Sequence, residues 1–174
     1  MESYVERLTP EAMTRENILG ALADIEKNHQ VDILYAIQDG SHAWGFAGPK
    51  SDHDVRFIFM RQPEAYLTVG ELPPSTIRVV SSGLDLVGWD LRHALRLFVK
   101  PNVCLLEWLR MPVIYKEVDP LIRQLRSLAA GRIEPRVMGP RAAPTHPAQP
   151  ITIQEMDALF QEKILQKFLA RVCA

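Results

Sequence analysis

The run Val31-Asp32-Ile33-Leu34-Tyr35-Ala36-Ile37 is too short and too rich in β-branched side chains to stand as an independent helix. A largely buried strand is expected there, ending at Gln38-Asp39-Gly40, and a buried strand needs packed layers on it. Ahead of it, Thr9-Pro10-Glu11 has the form of a helix start, with Ile18, Leu19, Leu22 and Ile25 at helical spacing and an end near Asn28. Further strands are expected at Asp54–Met60, Thr76–Val80 and Leu84–Val87, so that four short strands make one sheet. Between them, Pro63–Val69 suits a short helix, and Leu72-Pro73-Pro74-Ser75 must be loop because consecutive prolines remove ladder donors.

From Asp90 the period becomes helical. Leu91, Ala94, Leu95, Phe98 and Val99 form one apolar face, and Lys100-Pro101-Asn102 interrupts before Val103, Leu105, Leu106, Trp108 and Leu109. Asp119-Pro120 opens another helix through Ala130. Residues 131–150 hold five prolines and little that can pack, which reads as an extended linker. Beyond it Ile153, Met156, Leu159, Phe160, Ile164, Leu165, Phe168 and Leu169 mark an amphipathic helix, with Thr152 and Glu155 at capping-box spacing. The division expected is a domain over 1–130, a linker over 131–150 and a terminal helix over 151–174.

Composition limits the function. A chain of 174 residues can bury about 70% of its unfolded surface and needs no disulfide or structural metal to be stable. With 20 Lys+Arg against 21 Asp+Glu, the net charge of −1 excludes a uniformly basic nucleic-acid coat, so a polyanionic substrate would need a focused site. Cys104 and Cys173 form neither a disulfide framework nor a zinc knuckle, and His29, His42, His53, His93 and His146 have no zinc-ligand spacing. The acidic start, and the lack of any stretch near the ~18 apolar residues of a membrane span, lead to the expectation of a cytoplasmic protein with no membrane partner.

The chemistry is concentrated in Gly40-Ser41-His42-Ala43-Trp44-Gly45-Phe46 and in Ser51-Asp52-His53-Asp54-Val55. Two carboxylates two apart on a strand project to one face and repel each other unless a divalent cation lies between them. Mg2+, which takes oxygen ligands and keeps waters and substrate phosphates in its shell, is the natural guest. Gly40-Ser41 falls where a strand gives way to a short helix, whose free N–H groups can hold phosphate oxygens. Asp85 lies between Leu84 and Leu86 on a strand and points opposite to them; if that strand neighbours the one carrying Asp54, three carboxylates converge. That is the layout of two-metal nucleotidyl transfer.

Gly-Ser followed by Asp-x-Asp on the next strand, with a later strand aspartate, resembles the DNA polymerase β-type nucleotidyltransferase superfamily. The strings GSHAWGF, SDHDVRFIF, YLTV, LDLVGWDLRHAL and LLEWLRMPVIY, over about residues 16 to 130, resemble more narrowly the nucleotidyltransferases of the RNA-ligase-associated, RNA repair-linked group. The resemblance implies an α/β fold with a small mixed sheet and packed helices. It implies Mg2+ (or Mn2+) as cofactor, a nucleoside triphosphate as substrate and an RNA end as acceptor. Gly40 and Ser41 would then grip phosphate, with Lys100 as a further phosphate-binding cation; Asp52 and Asp54 would bind metal, and Asp85 would be the third carboxylate. Asp90, the rival for that role, stands at a helix start where capping is its expected job.

The chain also departs from the group. His42 and His53 stand where arginine and tyrosine are usual, and Gln38-Asp39 where Glu-Ser is usual, which removes one arginine able to touch a phosphate. Relatives continue into a longer helical region after 119–130, so a truncated or frame-altered tail is expected here. Trp44, Phe46, Trp89 and Trp108 are expected to pack and not to stack on a base. Arg56, Arg92, Arg96 and Lys100 are sources of positive charge near the site, although Arg92 and Arg96 also fit a plain solvated i,i+4 face. Two other functions fit the same residues: a non-catalytic nucleotide-binding or antitoxin-like module, and a minimal nucleotidyltransferase acting on a protein hydroxyl.

Overall fold

A computed structural model describes residues 13–48, 51–67, 69–81, 83–100, 102–130 and 152–172, excepting the side chains of 153 and 168–172. Helix α1, Arg15–His29, is opened by Thr14, whose side chain accepts from the N–H of Asn17 while the Asn17 side chain accepts from the Thr14 N–H. This corrects the expected start: Met13 and Thr14 are not helical, and Thr9-Pro10 lies outside the described residues. Gln30 closes α1 in the left-handed region at φ 52°, and strand β1, Val31–Asp39, follows at once.

A one-turn helix α2, Gly40–Trp44, leads to β2, His53–Arg61. A 3-10 turn at Pro63–Tyr66 precedes the hairpin β3, Thr76–Ser81, and β4, Leu84–Asp90. Then come α3, Leu91–Val99, and α4, Val103–Arg110, which is capped by Asn102 through the N–H of Leu105. Strand β5, Ile114–Glu117, α5, Pro120–Ala130, and α6, Ile153–Val172, complete the order. Asp119 caps α5 through the N–H of Leu121, and Thr152 and Glu155 form the expected capping box on α6. The stretch 131–150 lies outside the described residues.

The sheet has five strands, not four, in the order β3-β4-β2-β1-β5. Strands β2 and β4 run parallel and the other pairs antiparallel, so the sheet is mixed as expected. Register in β1 slips between Ile33 and Tyr35. Leu34 and Tyr35 therefore both join one apolar layer, while Ile33 and Ala36 join the other. The first layer packs Tyr35, Ile37, Ile58 and Met60 against α3, α4, α5 and α6, with Met156 and Phe160 of α6 inside it. The second packs Val55, Phe57 and Phe59 against Ile18, Leu22 and Ile25 of α1. Burying each such side chain contributes about 1.5–3 kcal/mol.

Ion pairs fasten the helices in place: Lys116 of β5 to Glu26 of α1 at 2.8 Å, Lys163 of α6 to Asp119 at the start of α5, and Lys167 of α6 to Asp32 of β1. Among the described residues, no helix is long and apolar enough to cross a membrane.

Candidate functional site

The antiparallel pairing of β1 with β2 sets Asp39 opposite Asp54, and the parallel pairing of β2 with β4 sets Asp54 beside Asp85. Three neighbouring strands thus each contribute one carboxylate at the same end of the sheet. Arg56, two residues after Asp54 and so on the same face, lies among them. Its Nη2 is 2.8 Å from Asp54 Oδ1, its Nη1 is 3.3 Å from Asp85 Oδ2, and its Nε is 3.3 Å from Asp39 Oδ2. Each carboxylate takes a different nitrogen of one planar guanidinium, the geometry in which arginine serves several anions at once. Arg78, largely exposed on β3, adds a second cation to Asp85 at 3.2 Å.

Gly40 adjoins this cluster with φ +64°, and a Cβ built there would fall 2.1 Å from Asp54 Oδ2. Only glycine meets both requirements, a left-handed backbone and no side chain against the carboxylate. It is the first residue of α2, which ends in the left-handed Gly45, and the Ser41 carbonyl accepts from the N–H of Phe46 at 3.0 Å. Ser41 is partly exposed at the same end of the sheet.

Asp52 is exposed, precedes β2, and takes no part in the Arg56 cluster. Its carboxylate acts on His53, whose pKa burial and the neighbouring His42 push down against the opposing pull of Asp52 and Asp54. His42 and His53 stack with ring centroids 3.8 Å apart. His42 Nε2 lies 3.1 Å from the Ser51 carbonyl, and His53 Nδ1 lies 3.2 Å from Gln38 Oε1, which also accepts from the Tyr115 hydroxyl at 2.5 Å. Two imidazoles therefore pack against each other at the mouth of β2.

Lys100 caps the C-terminal end of α3 and is exposed; it lines a cleft between α3 and α6 that contains none of the clustered aspartates. Asp90 caps α3. One oxygen accepts from the Arg92 N–H at 2.9 Å and the other from the Tyr66 hydroxyl at 2.7 Å, and burial raises its pKa against those hydrogen bonds. Trp89 stacks on Trp108 at 3.9 Å as expected of packing aromatics, whereas Trp44, the last residue of α2, and Phe46 just after it are exposed and do not pack, which corrects the expectation for those two.

The geometry also brings in a residue the sequence did not single out, Asp39, and gives Arg56 a defined place. Strand alternation puts Arg56 on the Asp54 face, a signal present in the sequence. The entry of Asp39 depends on the β1–β2 register, which is not. The donors are hard oxygens, which suit Mg2+ or Mn2+ in kind. As folded they fan out onto Arg56, and among the described residues no three His, Cys, Asp or Glu side chains are arranged to hold a metal ion. A cation that took the oxygens now turned to Arg56 would have to displace the guanidinium.

A mixed sheet in which Gly-Ser abuts an aspartate of the following strand, with packed helices, is a nucleotidyltransferase fold of the polymerase β type. Residues 14–141 match the RNA repair pathway DNA polymerase beta family, and the chain belongs to that family. It is similar to the uncharacterized protein YcgL of Bacillus subtilis (strain 168), with 39% identity over 121 residues. The aligned part is 70% of this chain and 46% of YcgL, so the chain spans about half the length of that relative.

Proposed function

We propose that this cytoplasmic chain transfers a nucleoside monophosphate from a nucleoside triphosphate to an acceptor hydroxyl, an RNA end, with release of pyrophosphate. The observation that carries the reading is the register match of Asp54 with Asp85, with Gly40 closed against Asp54. Asp54 and Asp85, with Asp52 from the strand mouth, would hold Mg2+ or Mn2+, which when bound supplies charge neutralisation and a lowered pKa for the attacking hydroxyl. The N–H groups and hydroxyl at Gly40-Ser41 would hold phosphate oxygens; Lys100, in the α3–α6 cleft, lies apart from this site. The RNA acceptor is supported by the family, whose description places it in an RNA repair pathway.

The grip of Arg56 on all three clustered carboxylates favours a second reading, a module that binds nucleotide without turning it over. Thermal unfolding of wild type and Asp54→Asn with each nucleoside triphosphate, in Mg2+ and in chelator, tests the site. At ~100-fold above the dissociation constant, binding stabilises by about 2.7 kcal/mol, a shift of roughly 2–8 °C. A Mg2+-dependent shift that disappears in Asp54→Asn is expected, and a flat response to all four overturns the nucleotide site. Transfer of α-phosphate label onto RNA then separates catalysis from binding, and label on protein instead overturns the RNA acceptor.

A further inference from the structure

Three of the cations that the ion-pair network leaves over stand together on one helix. Arg56, Arg78, Lys116, Arg126, Lys163 and Lys167 each face a carboxylate. Arg92, Arg96 and Lys100 of α3 form no ion pair among the described residues. They stand at i, i+4 and i+8, so they form one row with about 6 Å between neighbours along the helix axis. In a chain of net charge −1, this row is a local excess of positive charge.

The row borders a cavity of about 420 Å³ between α3 and α6, whose interior is apolar: Leu95 and Val99 from one helix, Met156 and Phe160 from the other. Asp157 is the one acid in its lining. A second cavity, of about 120 Å³, continues past Arg92 and Arg96 to Arg61 at the end of β2. Its acid, Asp90, is already engaged by the Tyr66 hydroxyl and the Arg92 N–H. A cationic row beside an apolar recess large enough for a flat ring is the combination that binds single-stranded nucleic acid, with phosphates on the row and a base in the recess. An acidic peptide would satisfy the cations, but a nucleic-acid strand carries both a flat ring and an anion on every repeating unit, which matches a recess set beside a cationic row.

We propose that the α3–α6 cleft binds a single-stranded RNA segment, seating one nucleoside between the helices and its neighbouring phosphates on Arg92, Arg96 and Lys100. The proposal rests on the RNA-acceptor reading above and assigns the strand to a surface separate from the Asp54 cluster, whose residues do not line the cleft.

The test is fluorescence polarisation of a 5′-labelled, mixed-sequence 12-nucleotide RNA with the full chain. Wild type is compared with Arg96→Glu/Lys100→Glu, the gentler Arg96→Gln/Lys100→Gln, and Arg123→Glu, an exposed cation of α5 outside the cleft, each first shown to unfold cooperatively. The reversal is expected to weaken binding at least tenfold and the neutral pair less. The slope of log affinity against log salt should fall by about 1.4 for two lost phosphate contacts on a single strand. Arg123→Glu should stay within about twofold of wild type. RNA binding that ignores both pairs of substitutions, or that is lost equally in Arg123→Glu, overturns the assignment, as does no binding by wild type. Displacement of the RNA by adenosine monophosphate at the strand's own affinity would make the occupant a free nucleotide and overturn it too. None of these results depends on the nucleotide-induced thermal shift in Mg2+, so the cleft and the nucleotidyl-transfer site can fail separately.

Discussion

Arg56 Nη2 lies 2.8 Å from Asp54 Oδ1, and the same guanidinium reaches Asp39 and Asp85, so one side chain bridges all three carboxylates from within the sheet. The three acids are held together by a protein cation where the proposed function puts a divalent ion. On that proposal metal and Arg56 would compete for the same oxygens.

Arg56→Gln is expected to move stability and metal affinity in opposite directions. In chelator the variant should lose about 2 kcal/mol, less than for a fully buried pair because the partners are partly exposed. Its affinity for Mn2+ should rise at least tenfold, or ~1.4 kcal/mol, because the competing charge has gone. Urea unfolding in chelator and Mn2+ titration followed by electron paramagnetic resonance check the two halves. Unchanged Mn2+ affinity would show that metal binds without displacing Arg56.

Gly40→Ala tests how closely the turn is fitted to the carboxylate. A left-handed backbone costs a non-glycine residue roughly 1–2 kcal/mol, and the new methyl would fall within 2.1 Å of Asp54 Oδ2. We expect a loss of about 2–4 kcal/mol in urea unfolding. The Mg2+-dependent nucleotide shift expected of the proposed site should vanish as the methyl displaces the Asp54 carboxylate. An alanine variant with wild-type stability would mean that the turn can relax without moving Asp54.

Much of the fold could be read from local chemistry, and the failures have physical causes. Val31–Ile37 and Asp54–Met60 are apolar runs bounded by turn residues, and both proved to be strands with ends extended by one or two residues. Ile114–Glu117 was missed as a strand. It has four residues, all only partly buried, and is strand because β1 offers it an edge. The start of α1 was misplaced because asparagine, not the usual Glu or Gln, completes the Thr14 capping box. At the site, alternation gave the strand face of Asp54 and of Asp85, but their convergence was conditional on the pairing of their strands, which β2 and β4 supply. The place of Asp39 follows from pairing between β1 and β2, and what fills the cluster follows from the reach of the Arg56 side chain, neither of which is a local property.

Gly88→Ala should be costly for packing alone. A Cβ at Gly88 would fall 2.0 Å from Cε2 of Phe57, its register neighbour on β2, and Phe57 is fully buried. Overpacking of this kind costs about 1–3 kcal/mol. Urea unfolding should show it, and Phe57→Leu in the same chain should restore part of the loss by making room. An additive double variant would show that the two positions do not meet.

Asp90 separates capping from charge. Asp90→Ala removes the N-cap of α3, worth about 1 kcal/mol, and leaves the buried Tyr66 hydroxyl without its acceptor, worth about 1–3 kcal/mol. A loss of about 2–4 kcal/mol is expected. Asp90→Asn keeps an oxygen for the Arg92 N–H and should stay within about 1 kcal/mol of wild type. The pH dependence has a definite sign. Burial raises the Asp90 pKa above its ordinary 3.8, so between that value and the raised one the native state holds more protons than the unfolded chain. Stability contributed by this group is complete below 3.8 and is lost as pH rises through the raised value. Asp90→Asn has no such loss, so its stability relative to wild type should improve as pH rises through that window. Urea midpoints of the two proteins compared across it decide the matter, and a relative stability that worsens with rising pH would show that the charged carboxylate is the form the fold prefers.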